Sequence, residues 1–226
     1  MIRLTRASVV RGRAPLLSNL SFKLLPGELS VVAGANGVGK TSFARALAGD
    51  SRYSVIAGFE WARWRRGPGA VLGVFLTFQA PVEVPGVLYA HFLKLVACRA
   101  GTAPSLACKL KLVLKLVGVS VRALNRPVNV GFSGGERRLL ELVQMVVMEP
   151  DVCVLDEVDS GLDAHKLAIL IKLVLAFGAS RRCLLVITHS LDLMLALAPD
   201  SVYCLKPQGM VHLTRGACKL DACALR

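Results

Sequence analysis

Acidic residues are scarce in this chain of 226 residues: 15 Asp and Glu stand against 28 Lys and Arg, a formal net charge of +13. Such an imbalance admits nucleic acid, an anionic membrane or an acidic protein as partner without choosing among them. Also missing is any uninterrupted apolar stretch of about 18 residues, the length a helix needs to span a bilayer, although 54% of the residues are hydrophobic. The longest candidates, residues 167–177 and 106–121, are interrupted by Lys172 and by Lys109, Lys111 and Lys115. No direct membrane insertion is expected, and part of the apolar excess is assigned to partner surfaces. The opening Met1-Ile2-Arg3-Leu4-Thr5-Arg6 lacks the apolar core of a signal peptide. No C-x-x-C pair occurs among seven scattered cysteines (98, 108, 153, 183, 204, 218 and 223). A disulfide framework or zinc site is therefore not expected, and a reducing, cytoplasmic compartment is; a bacterial cytoplasm is preferred to a plastid stroma. Aromatics are few, at 6%. Where they interleave with arginine, in Trp61-Ala62-Arg63-Trp64-Arg65-Arg66, they could stack on single-stranded nucleic acid. No further basic–aromatic stripe continues that groove, so an exposed loop is the preferred reading and no nucleic acid is expected.

The chain is long enough for one substantial core, with room for a subdomain. Its organising stretch is Gly34-Ala35-Asn36-Gly37-Val38-Gly39-Lys40-Thr41, which fits the phosphate-loop pattern G-x-x-x-x-G-K-[ST]. A short apolar run, residues 29–33, precedes it as a strand, and residues 41–47 follow as a helix closed by Gly49. That strand–loop–helix setting lets backbone N–H groups and a helix N-terminus close around phosphate oxygens. Lys40 is placed for the β/γ-phosphates and the Thr41 hydroxyl for Mg²⁺.

Two turn signals, Arg11-Gly12-Arg13 and Pro26-Gly27, give residues 1–28 the look of a meander of strands. Residues 71–78 are a second strand candidate, and residues 52–69 are the most irregular part. The pattern turns helical over 89–119, in two segments separated by Gly101 and Pro104. A further helix runs from after Ser133 to before Pro150, then a strand at 152–155, a helix at about 164–177 and a strand at 183–188. Strands flanking an all-helical insert predict an α/β core with an inserted helical subdomain.

Residues 152–155 end in Asp156-Glu157. An acid at this strand end holds Mg²⁺ in phosphate-loop enzymes, which suits Asp156, and Glu157 could orient or deprotonate an attacking water. In Phe132-Ser133-Gly134-Gly135-Glu136, Ser133 and Glu136 form a capping box. Adjacent glycines weaken a first turn, so they make sense if the backbone there must approach an anion. Two phosphate-binding helix ends far apart in sequence imply that two copies of the chain sandwich the nucleotide.

Taken together, these motifs resemble the ATP-binding cassette (ABC) ATPases: the phosphate loop, Gln79 after a strand, Ser133-Gly134-Gly135, Asp156-Glu157, Ser160-Gly161-Leu162-Asp163, and His189 after a strand. The resemblance implies a P-loop fold of ABC type, a mixed sheet core with an antiparallel β subdomain. It places the nucleotide-binding core at 1–79 and 151–226 and the helical subdomain at 80–150, in a single cassette. ATP and Mg²⁺ are the implied ligands. ATP contacts would come from residues 34–41 with Ser42, Gln79, Ser133, Gly134, Gly135, Glu136 and Asp163, and Mg²⁺ would be held by Thr41, Gln79 and Asp156. Catalysis would fall to Glu157, His189 and Lys40. Phe78-Gln79-Ala80-Pro81-Val82-Glu83-Val84-Pro85-Gly86-Val87 and the Phe-Ser-Gly-Gly-Glu form of the signature resemble the SufC family, ATPases of the SUF iron–sulfur cluster assembly system. That implies SufB- and SufD-like scaffold partners and an ATP-dependent homodimer; the alternative is the ATP-binding subunit of a membrane transporter. The chain departs from the pattern it resembles where Thr41-Ser42 stands for the commoner Ser-Thr, and where no aromatic stands near Val9-Val10 to stack a base.

Overall fold

The computed structural model describes residues 1–61, 73–78, 81–178 and 182–214. Gln79, Ala80, residues 62–66 of the aromatic–arginine stretch, and Cys218 and Cys223 lie outside the described residues.

In chain order the strands β1 (Ile2–Arg11), β2 (Ala14–Leu24) and β3 (Leu29–Ala33) lead into α1 (Lys40–Leu47). Then come β4 (Tyr53–Ile56), β5 (Phe59–Trp61), β6 (Val74–Leu76), β7 (Val84–Leu88), α2 (Tyr89–Ala100), α3 (Leu106–Val117) and β8 (Pro127–Val128). The chain continues through α4 (Gly134–Met148), β9 (Val152–Asp156), α5 (Ala164–Gly178), β10 (Cys183–Ile187), α6 (Leu191–Leu197), β11 (Ser201–Lys206) and β12 (Gly209–Thr214).

Three sheets form. The central one has the order β12-β11-β3-β10-β9-β6, parallel from β11 to β6 with β12 antiparallel at the edge. An antiparallel sheet pairs β1 with β2, β4 and β5, and β7 pairs antiparallel with β8. The buried strands β3, β9 and β10 are nearly all apolar, as parallel strands covered on both faces must be. Their side chains alternate between two cores. Val31, Leu155 and Val186 face the helices α4, α5 and α6 in one cluster. Val32, Val154 and Leu185 meet β1, β2 and α1 in the other.

The capping box at Ser133 is present: its hydroxyl accepts from Glu136 N at 3.3 Å, and Glu136 Oε2 accepts from Ser133 N at 2.8 Å. The helices α2 and α3 each close on a left-handed glycine, Gly101 and Gly118. The fold is thus the mixed-sheet α/β arrangement with an antiparallel sheet and a helical insert. Irregular residues 52–61 resolve into β4 and β5, which sequence alone left as loop. Cys98, Cys108, Cys153 and Cys183 are free thiols. Cys204 in β11 is disulfide-bonded, a single bond rather than the framework that the scattered, odd-numbered cysteines argue against. Among the described residues no helix is long and apolar enough to cross a membrane.

Candidate nucleotide site

Because β3, β9, β10 and β6 run parallel, their carboxyl ends share one edge of the central sheet, where ligands of open α/β sheets bind. The loop 34–39 leaves β3 there and enters α1. Gly39 is the N-cap of that helix, with φ 107°, no side-chain cap and no acid in the first turn. With neither a capping side chain at Gly39 nor an acid in the first turn, this helix N-terminus suits an anion. The buried Lys40 ammonium donates to the carbonyls of Gly34 (2.8 Å) and Ala35 (3.0 Å), which holds it at the loop.

Asp156 ends β9 two strands away, level with Ile187 of β10. Burial pushes its carboxyl up from the usual range, while the Thr41 hydroxyl and the Lys40 charge act the other way. Its Oδ1 is buried without a hydrogen-bond partner. An orphaned carboxylate oxygen beside a threonine hydroxyl fits a hard divalent cation, and Mg²⁺ takes such oxygen donors. The backbone N–H of Asp156 donates to Thr77 Oγ1 at 2.7 Å, fixing the strand end.

Glu157 follows with φ 47°, a left-handed conformation that is uncommon for a side chain of this kind. Its N–H donates to Ile187 O at 2.9 Å, and its Oε1 lies 3.9 Å from His189 Nδ1. Both side chains are partly accessible, His189 more so. Between them Thr188 donates to Asp159 Oδ2 at 3.0 Å, tying the loops after β9 and β10 together.

A second group forms at the N-terminus of α4. Ser133 and Glu136 bond to each other, and the Ser133 N–H holds the Glu136 carboxyl below its usual range. A methyl added to Gly134 would meet open space, whereas one on Gly135 would run into the Lys166 side chain. Asp163 caps α5 by accepting from Lys166 N at 2.9 Å and pairs with Lys166 Nζ at 2.7 Å. Hydrogen bonds to Lys166 hold the Asp163 carboxyl below its usual range. Packing against Lys166 therefore accounts for Gly135, while no packing accounts for Gly134.

The segment before and after residue 79 is stitched to α4 and to the stretch that precedes it. Phe78 N donates to Glu141 Oε1 at 2.7 Å, Arg138 donates to Phe78 O, and Arg138 pairs with Glu141 at 3.0 Å. Glu83 pairs with Arg137 at 2.6 Å, and Asn129 Nδ2 donates to Val82 O at 2.7 Å. Sequence reading assigned no role to Thr77, Asp159, Thr188, Arg138, Glu141 or Lys166. An acid at 141 inside the apolar run of α4 was the one available signal; the rest act through partners distant in sequence.

A strand-bound phosphate loop, an acid pair two strands over and a second glycine-bearing helix end define a P-loop nucleotide-binding cassette. Residues 17–160 match the family profile described as ABC transporter, and the chain belongs to the ABC ATPase family. Within it the chain is similar to the "Probable ATP-dependent transporter SufC" of Escherichia coli (strain K12), 33% identical over 84% of this chain and 82% of that protein. It is likewise similar to the "Probable ATP-dependent transporter ycf16" of Trieres chinensis, 34% identical over 83% of this chain and 80% of that protein. The "Iron-sulfur cluster assembly protein SufC" of Plasmodium falciparum (isolate 3D7) is 30% identical over 86% of this chain and 60% of its own length. The fold matches a solved ATP-binding subunit of an ABC transporter with a TM-score of 0.81, covering 99% of this chain and 94% of that one at 20% identity.

Proposed function

We propose that this chain is the ATP-hydrolysing subunit of an iron–sulfur cluster assembly complex, dimerising on ATP to rearrange a scaffold of SufB- and SufD-like proteins. The observation that carries this reading is the pairing of β7 with β8 and the Glu83–Arg137 bridge. The two segments that set the SufC family apart in sequence thereby pack together beside the signature helix, and the relatives bearing the SufC name support the same assignment. Exposed Phe78, Val82, Val84 and Val87 line this region and offer apolar area to a partner.

In this reading the cassette has its nucleotide core at 1–79 and 151–226 and its helical subdomain at 80–150. Residues 34–41 and Ser42 bind the triphosphate, with Lys40 moving from the loop carbonyls to the β/γ-phosphates. Thr41, Gln79 and Asp156 would hold Mg²⁺, which when bound would neutralise charge on the phosphate oxygens. Glu157 orients the attacking water and accepts its proton, and His189 contacts the γ-phosphate. From the second copy come the N–H groups of Gly134 and Gly135, the Ser133–Glu136 turn, and Asp163. These donors act where charge builds on the γ-phosphate. The reaction converts ATP and water to ADP and phosphate, in a bacterial cytoplasm.

The test is affinity capture of tagged Glu157→Gln protein with ATP and Mg²⁺ in mild detergent, with partners identified by mass spectrometry. SufB- and SufD-like chains are expected. Recovery of a polytopic membrane protein in their place would make the chain a transporter subunit.

A further inference from the structure

Lys166 stands where the two trans-acting parts of the proposed dimer meet. Its ammonium is 2.7 Å from Asp163 Oδ2, and its backbone N–H donates to Asp163 Oδ1 at 2.9 Å. Its aliphatic stem lies on Gly135: a Cβ there would come within 2.7 Å of Lys166 Cδ and 3.1 Å of Nζ. A single side chain thus spans from the loop after β9 to the first turn of α4. The ion pair is substantially exposed, at 29% for Lys166 and 56% for Asp163, so it adds little to stability. Its geometric effect is larger than its energetic one, because the cap, the bridge and the packed stem fix three points on two elements.

We propose that Lys166 is a positioning residue that locks the Asp163 loop to the signature turn, so that both reach the partner's nucleotide as one rigid piece. This rests on the dimeric reading above. Without the strut, two elements would have to be ordered separately on closure, and small misplacement of donors is costly in rate. Lys166 touches no phosphate in this scheme. It acts through Gly135 and Asp163.

Mixed dimers test it, since the strut serves only the site on the opposite chain. In one arrangement a chain carrying Lys40→Ala and Lys166→Met is paired with wild type, so the intact nucleotide site faces a signature without its strut. In the other, Lys40→Ala is on one chain and Lys166→Met on the second, so the intact site faces a complete signature. The first should turn over ATP about tenfold more slowly than the second at saturating ATP. Lys166→Arg in place of Lys166→Met should restore most of the rate. The melting temperature of Lys166→Met should stay within about 2 °C of wild type, and ATP binding to the monomer should be unchanged. Equal rates in the two arrangements, or no recovery with arginine, would overturn the positioning role. Absence of ATP-dependent pairing even between unaltered chains would remove the dimeric reading, and the proposal with it.

Discussion

Arg138 and Glu141, 3.0 Å apart and almost inaccessible, close a ring on the peptide of Phe78, one taking its carbonyl and the other its N–H. The backbone immediately before Gln79 is thereby attached to the helix that starts at the signature. Truncating Glu141 takes an acceptor away from two buried donors, the Phe78 N–H and the Arg138 guanidinium, at a cost of about 3–5 kcal/mol in all. Glu141→Ala should therefore lower stability by about that amount, measured by urea unfolding.

The same carboxyl supplies a pH dependence. Burial pushes Glu141 above the usual carboxylate range, against the pull of the Phe78 N–H and Arg138. With its folded value above the unfolded one, its contribution is complete below the unfolded pKa, about 4.3. That contribution fades as pH rises through the folded value. The stability gap between wild type and Glu141→Gln should accordingly narrow from about pH 4 upward. A gap that widens with pH would show that the carboxylate, not the acid, is the favoured form.

Glu157→Gln should retain ATP binding and ATP-driven association in sedimentation while turning over about 10²–10⁴-fold more slowly. Undiminished turnover would take the role of base away from Glu157.

Gly134 is helical and its missing Cβ would meet nothing. Alanine there should leave the melting temperature unchanged or raised, since alanine is the better helix former. If phosphate approaches this backbone, the same substitution should slow turnover about 10–100-fold. Full activity would return Gly134 to an ordinary first-turn residue.

Thiol labelling should separate two classes. Cys98 and Cys108 are exposed and should react with maleimide quickly, while burial pushes the thiols of Cys153 and Cys183 up and hides them. Peptide mapping should find the second pair labelled only after unfolding.

The motifs of the phosphate loop, Asp156-Glu157 and the signature were legible because local rules confine them to a strand end, a tight loop or a helix cap. Helices with caps were legible for the same reason: Ser133 and Glu136 opened α4, and Gly101 and Gly118 closed α2 and α3. By contrast β7 contains Pro85 and Gly86, a loop composition, and becomes a strand only because β8 lies beside it. Short β11 and β12 and helix α6 went unassigned, although Ser190 caps α6 through Leu193 N at 3.2 Å. The Arg138–Glu141 ring and the Lys166 strut were invisible in sequence because each depends on elements brought together by tertiary packing.

The order of strands in the central sheet has a consequence for how the chain is made. The strand that carries the phosphate loop, β3, has β10 on one side and β11 on the other. Both emerge from the ribosome well over half the chain length after Ala33. Until then β3 has no sheet neighbour, and its run of Leu29, Val31 and Val32 has no partner strand to cover its edges. Long-range parallel pairing of this kind is slow and leaves apolar edges exposed to aggregation. The nucleotide site is thus among the last parts of the molecule to become whole during synthesis, so a chain stalled before β10 should be insoluble and unable to hold nucleotide.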